Sequence, residues 1–183
     1  MKNIITTLSI IILLFTACAA QQPVAKISSN KVSLGKETYN ISKSAGRYTE
    51  IKNSANKFGS VKQSAPNLPS DFKVSYNMSF DKKLVYKICA DAIPLEKLKE
   101  MPMGMNDRLT IYMKVDGKGV PIEMEFVVQN TSLISAKELQ QIEINIKKQV
   151  RITFLNGIDR YFKGANFFNI DIPVPYSEIL KAH

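Results

Sequence analysis

Apolar and polar residues alternate with a period of two over Leu109, Ile111, Met113 and Val115, and again over Ile122, Met124, Phe126 and Val128. Thr110, Tyr112 and Lys114 fill the intervening positions of the first run, and Glu123 and Glu125 those of the second. A strand places alternate side chains on opposite faces, so each run predicts a strand with one greasy face. Asp116-Gly-Lys-Gly119 between them reads as a turn whose glycines supply positive φ, making the pair a β-hairpin. The period then changes to that of a helix. Leu139, Ile142, Ile146 and Val150 form one stripe, Ser135 and Glu138 stand at capping-box spacing, and Ile134 is placed to staple to Leu139.

The same reading extends in both directions. Phe72, Val74, Tyr76, Met78 and Phe80 alternate with Lys73, Ser75, Asn77 and Ser79, which predicts a further strand. Asp81 can cap a helix carrying Leu84, Val85, Ile88, Cys89 and Ala92 on one face; a strand at Leu84–Ile88 is the rival, and five apolar positions favour the helix. Pro94 stops that helix and can open a short second one through Met101. Arg151–Leu155 can be a strand, and Phe168, Ile170, Ile172 and Val174 alternate once more. The order β-α-α-β-β-α-β-β predicts an α+β fold, with helices on one face of a mostly antiparallel sheet and a β-hairpin–helix–strand unit in the C-terminal half.

Upstream the pattern is different. Ile4 to Phe15 is apolar apart from Thr6, Thr7 and Ser9, follows Lys2, and ends in the small residues Thr16-Ala17-Cys18-Ala19-Ala20. A bilayer-spanning helix needs about 20 residues, so this run predicts a cleaved secretory signal over residues 1–17. Phe15-Thr16-Ala17-Cys18 resembles a bacterial lipobox, with Phe15 where that pattern prefers Leu; Cys18 is then the acylated first residue of a membrane-anchored, periplasm-facing protein. Acyl chains contribute about 0.8 kcal/mol per buried CH₂, so several make a stable anchor. Ala17-Cys18-Ala19 also qualifies for ordinary cleavage, which leaves plain secretion as the alternative. Residues 18–32 are polar and read as a tether, and 33–65 as a basic extension with short strands around Glu37–Ile41 and Arg47–Ile51. The Pro/Ser/Asn-rich stretch Ser64–Ser70 marks the boundary of an α+β domain over 66–183.

The chain carries a net charge of +9, unevenly spread: residues 19–65 hold eight cations and two anions. Within them Ser44–Asn53 is echoed by Ser54–Gln63, seven of ten positions matching in identity or type. Two similar short strands, or a coincidence in Ser/Ala/Lys-rich sequence, account for that, since two copies cannot build a solenoid. The alternative is a basic ribbon bearing Arg47, Tyr48, Lys52, Lys57, Phe58 and Lys62, able to lie on anionic lipid headgroups. Charge alone would allow nucleic acid, but an exported protein does not meet it, so no nucleic-acid partner is expected.

Candidate chemistry is sparse. Ser-x-x-Lys recurs at Ser28, Ser33, Ser54 and Ser79 in a Ser/Lys-rich chain with no Lys-Thr-Gly companion. The one histidine is His183, so neither a serine triad nor a Cys/His zinc set can be assembled, and no metal or cofactor is expected. Cys89 is left without an intramolecular partner once Cys18 is acylated, and is expected to be buried and inert. Glu123 and Glu125 share one strand face and could do paired-carboxylate hydrolysis, against a plain solvent-facing reading with Thr110, Tyr112 and Lys114 across the hairpin. The absence of tryptophan weakens any carbohydrate reading, because sugar sites stack on aromatic faces.

The stretch LTIYMKVDGKGVPIEMEFVVQNTS, with its strand, Gly-bearing turn, strand, loop and capped helix, resembles the C-terminal domain of TonB-type envelope proteins. That resemblance implies a sheet able to accept another strand or a short peptide. It does not imply energy transduction, because TonB proteins keep an uncleaved membrane helix and a long Pro-rich spacer, whereas only Pro23, Pro66 and Pro69 precede this domain. The whole chain is also similar to exported proteins of about this length from Bacteroidota, a domain family of unknown function. Together these lead to the expectation of a non-enzymatic cell-envelope protein that binds a protein or peptide partner, with a small hydrolase using Glu123 and Glu125 as the alternative.

Overall fold

A computed structural model describes residues 21–44, 46–69, 76–155, 159–162 and 164–183. The signal-peptide reading, Cys18 and the first half of the strand expected from Phe72 lie outside these residues.

The hairpin forms where the alternation placed it. Strands β5 (Arg108–Val115) and β6 (Pro121–Gln129) pair antiparallel, with Ile111 opposite Phe126 and Met113 opposite Met124. The register shifts by a bulge at Lys114/Val115. Of the two turn glycines only Gly119 adopts a positive φ (80°), and a side chain there would run into the Ile152 carbonyl. The Ile152 N–H donates to the Gly119 carbonyl at 2.9 Å, so the turn is also a docking point for a distant segment.

Three more strands extend the sheet beyond β6. These are β1 (Lys31–Leu34), β2 (Glu37–Ser44) and β3 (Tyr48–Asn53). With β8 (Phe168–Pro175) they give one six-stranded sheet in the order β1-β2-β3-β6-β5-β8, antiparallel throughout. The basic segment 33–65 therefore does carry the short strands its sequence suggested, and they are continuous with the domain's own sheet through the β3–β6 ladder. Val32, Leu34, Tyr39, Ile41 and Ile51 are buried in the common core. The tether read at 18–32 contains a docked turn and ends in the first two residues of β1: the 3-10 turn Val24–Lys26 buries Val24 and is followed by buried Ile27, and the Val24 N–H donates to the Ile134 carbonyl at 2.9 Å. Two apolar residues three apart were too few to register as a period, but one turn aims both at the core.

Helices cover one face of the sheet. Helix α1 (Lys82–Ala92) is capped by Asp81, whose carboxylate accepts from the Leu84 N–H, and α2 (Leu95–Glu100) starts after Pro94 as expected. Helix α3 (Ala136–Gln149) carries the full Ser135/Glu138 capping box. Its stripe of Leu139, Ile142 and Ile146 is buried. Within its described part, 76–80, the first predicted strand forms only β4 (Met78–Ser79), and the strand expected at 151–155 shortens to β7 (Thr153–Phe154); the two make a separate two-stranded ribbon. Tyr76, placed by the alternation on the buried face, is exposed, because the ribbon begins only at Met78. Two short helices had no periodic signal: α4 (Asp159–Phe162) and α5 (Tyr176–Lys181). Phe154, Phe162 and Phe168 stack into a small aromatic cluster beside the main core, with ring centroids 4.3–5.7 Å apart.

Cys89 is buried and is the free cysteine among the described residues; burial pushes its thiol up to about 12. Among the described residues no helix is long and apolar enough to cross a membrane.

Candidate functional site

Because the helices lie on one side, the opposite face of the sheet is open. Register and alternation determine what it presents. Tyr48, Glu50 and Lys52 project from β3, Glu125 and Val127 from β6, and Arg108, Thr110 and Tyr112 from β5. These side chains line a cleft of about 530 Å³ that also takes in Ser44 and Asn106. Tyr48 and Tyr112 are both a little over 40% exposed. The rim near Asn106 carries Met105, which is 95% exposed, and Met103. Methionine is a soft, adaptable contact residue, and tyrosine offers area with a polar end. Arg108 and Lys52 are matched in number by Glu50 and Glu125, so the cleft is amphiphilic and close to neutral in a basic chain.

A second hollow of about 190 Å³ adjoins it, sharing Tyr112 and Glu125 and adding Glu123, Lys114, Asn169 and Asp171. It thus joins the two glutamates of the predicted pair to Tyr112. Their environments differ sharply. Glu125 is half-buried, whereas Glu123 is only 7% exposed. The segment following β3, residues 54–64, crosses the end of the open face, and the Glu123 carboxylate accepts the backbone N–H groups of Lys57 and Phe58. The solvent-facing reading of the pair is therefore corrected for Glu123: the strand face is as expected, but a strap lies over it. No motif marks the strap's hold on Glu123, since those bonds run from backbone amides of any residue type.

The six residues of the proposed basic ribbon separate accordingly. Tyr48 and Lys52 line the cleft. Arg47 is exposed at the β2–β3 turn next to it. Lys57, Phe58 and Lys62 belong to the strap: Lys57 is exposed, Phe58 packs on Phe167 at 5.4 Å between centroids, and the Lys62 carbonyl accepts from Asn166. The two halves of the sequence repeat are thus one strand and one strap, not two similar strands. Arg108, Glu50 and Asn106 were not singled out from the sequence. Their outward parity was legible from the alternation; that β3 lies beside β6 was not.

The sheet edges matter for any strand-accepting role. The Tyr176 N–H donates to the Asp107 carbonyl, which continues the β5–β8 ladder and sets its phase. Asn169, Asp171, Pro173 and Pro175 therefore turn their backbone groups to the open edge of β8. Both prolines lack a donor, and the Asn169 N–H is taken by the Gln63 side chain at 3.2 Å. Among the described residues, Asp171 is left as the donor on that edge. On β1 the Asn30–Ile41 bond places Lys31 and Ser33 outward, and the Lys31 N–H goes to Ser29 Oγ. Among the described residues each edge thus offers about one free donor, the pattern of an edge protected from strand addition.

Buried polar groups elsewhere are mostly satisfied. The Tyr39 hydroxyl lies 2.8 Å from Glu143 and 3.0 Å from Glu37; burial first, then these carboxylates, push its pKa upward. Glu143 is also paired with Lys147 at 2.6 Å. His183 Nε2 is 3.1 Å from the Ile93 carbonyl. Among the described residues no group of three His, Cys, Asp or Glu side chains is placed to hold a metal.

No known protein-family model matches the chain, and no curated protein matches it in sequence. In structure it is similar to a DUF5043 family protein from Bacteroides uniformis ATCC 8492, with a TM-score of 0.65 at 14% identity, over 84% of this chain and 88% of that one. A likeness of that extent at this identity shows a shared fold. An uncharacterised domain of Bacteroidota is the match in kind that the sequence suggested.

Proposed function

We propose that this is a non-enzymatic cell-envelope protein, exported by its N-terminal signal, anchored through a lipid on Cys18 and periplasm-facing, whose open sheet face binds a protein or peptide partner. One observation carries the reading. The helices bury one side of the sheet, and the other side is shaped into a cleft of about 530 Å³ with exposed Tyr48, Tyr112, Arg108 and Lys52, aromatic and arginine residues being those that most often anchor interfaces. The blunted edges favour the face over strand addition. The Bacteroides origin of the fold neighbour agrees with an envelope lipoprotein of that phylum, and the leader supplies the export route.

The test is crosslinking capture from envelope extracts with the tagged protein and with a Tyr48→Ala/Tyr112→Ala variant. A specific partner recovered by the wild type and lost by the variant supports the reading; the same proteins recovered by both would overturn it. Labelling with a palmitate analogue, followed by fractionation, checks the anchor: label and membrane association should both vanish in Cys18→Ser, and an unlabelled, soluble wild type would leave plain secretion.

A second reading is a small envelope hydrolase, favoured by the hollow that joins Glu123 and Glu125 to Tyr112. Glu123 is already engaged by two backbone N–H groups, so the burden falls on Glu125. Turnover of a chromogenic glycoside or ester that disappears in Glu125→Gln would establish it; no turnover by the wild type across such a panel would dismiss it.

A further inference from the structure

Residues 54–64 contribute no strand to the sheet, yet they lie across the end of its open face. They are tied down at two feet. At the first, Asn56 Nδ2 donates to the Met124 carbonyl at 2.8 Å, and the Lys57 and Phe58 N–H groups converge on the Glu123 carboxylate. At the second, the Ser64 N–H donates to Asn166 Oδ1, Asn166 Nδ2 donates to the Lys62 carbonyl, and Gln63 Oε1 accepts from Asn169. Between the feet run Gly59, Ser60 and Val61, all exposed. Beneath the first foot is Phe167, fully buried, covered by the Phe58 ring and by Lys114, whose ammonium sits 4.5 Å from the ring centroid. Lys114 also lines the hollow that continues the cleft past Tyr112.

From this geometry we infer that the strap is a latch: Glu123 pins residues 56–58 over Phe167, and release of that pin opens a further aromatic subsite, contiguous with Tyr112, at the closed end of the cleft. The pin is a single carboxylate that serves two amides from a segment 65 and 66 positions away. Residues 56–58 are held on β6 by side-chain-to-backbone bonds, between ends that backbone bonds fix at Ser54–Thr38 and Ser64–Asn166, and a stretch held in this way opens locally at lower cost than a core strand, which opens only with the whole domain. Glu123 is accordingly a positioning residue, and its burial on a binding face is explained without any chemistry at its carboxyl. The latch follows from the strap's own bonds; that its opening admits a partner's apolar side chain rests on the binding reading above.

Hydrogen exchange read by mass spectrometry tests the latch directly. In the wild-type protein, amides 56–58 should be protected. Glu123→Ala should speed their exchange by about tenfold or more beyond any change in β5 and β6, and Glu123→Gln, which retains one acceptor oxygen, should fall between the two. Asn166→Ala should speed exchange at the Ser64 amide, which loses its side-chain acceptor, and leave 57 and 58 protected, which keeps the two feet separable even if a Glu123 variant folds poorly. Binding of the apolar dye bis-ANS should rise in Glu123→Ala and not in Asn166→Ala, since only the first uncovers Phe167. Unchanged exchange at 56–58 in Glu123→Ala, or exchange that speeds up by the same factor throughout the sheet, would overturn the latch. Faster exchange at the strap without a rise in dye binding would overturn the aromatic subsite. Loss of the partner-binding reading would leave both results standing.

Discussion

Two glutamates two residues apart show how far a position on a strand underdetermines its surroundings. Glu123 and Glu125 share a face, but only Glu123 lies beneath the strap, so the consequences of removing them differ. Truncating Glu123 to Ala should cost about 1–3 kcal/mol, the worth of hydrogen bonds to a charged group. Truncating Glu125 should change stability by less than about 0.5 kcal/mol, as at an ordinary surface site. Urea melts of the two variants check the order, and equal costs would remove the distinction. The two turn glycines separate in the same way. Gly117 lacks a positive φ, and an added Cβ there would make ordinary contacts with Phe162. Gly119 needs φ near 80° and stands against the Ile152 backbone. Gly119→Ala should therefore destabilise by roughly 1–3 kcal/mol, while Gly117→Ala should be close to neutral; thermal melts of the pair decide it.

At the scale of elements, α3 is the piece on which the core depends. Its stripe covers the inner residues of the hairpin, and Ile142 is fully buried. Ile142→Ala should cost about 2–5 kcal/mol, and Ser135→Ala about 0.5–2 kcal/mol through the lost cap. Denaturant midpoints at matched slope test that ranking. The stripe also carries a residue that hydropathy reads as polar: Glu143 is buried, held by Tyr39 from β2 and by Lys147 one turn on. The 3.6-residue period, the capping box and the helix after Pro94 were legible because each depends on neighbours within a turn. The short ribbon β4–β7 and the last helix were not, since two-residue strands and six-residue helices hold only through packing.

For the whole molecule, three buried groups, Cys89, Tyr176 and Tyr39, are shifted in one direction. Burial raises Cys89 from 9.0 to about 12 and Tyr176 from 10.0 to about 12, and Tyr39 is raised as well. Each keeps its proton in the folded state after the unfolded chain has lost it. Their stabilising contribution is complete below the unfolded values, near 9 to 10, and is lost progressively as the pH rises through the folded ones. Thermal stability should thus fall steeply from about pH 9 upward, and Cys89→Ala should flatten the first part of that fall. A melting profile indifferent to pH up to 11 would contradict it.

The sequence by itself determined the strands and helices whose periods run long enough to be read, the α+β class, the capping of α1 and α3, and the shared face of Glu123 and Glu125. All of these follow from chain geometry over a few residues. Only the tertiary structure decided that the basic N-terminal third joins the sheet through β3 and β6, that 54–64 fold back as a strap, and that prolines and side chains blunt both edges. These depend on which segments meet across 60 to 100 residues of chain, where no local period records the partner, because the free energy of meeting comes from burying surfaces that each segment carries without naming the other. The candidate face is the joint product: its residues were readable as outward positions strand by strand, and it became a cleft only when β3, β6 and β5 were laid side by side.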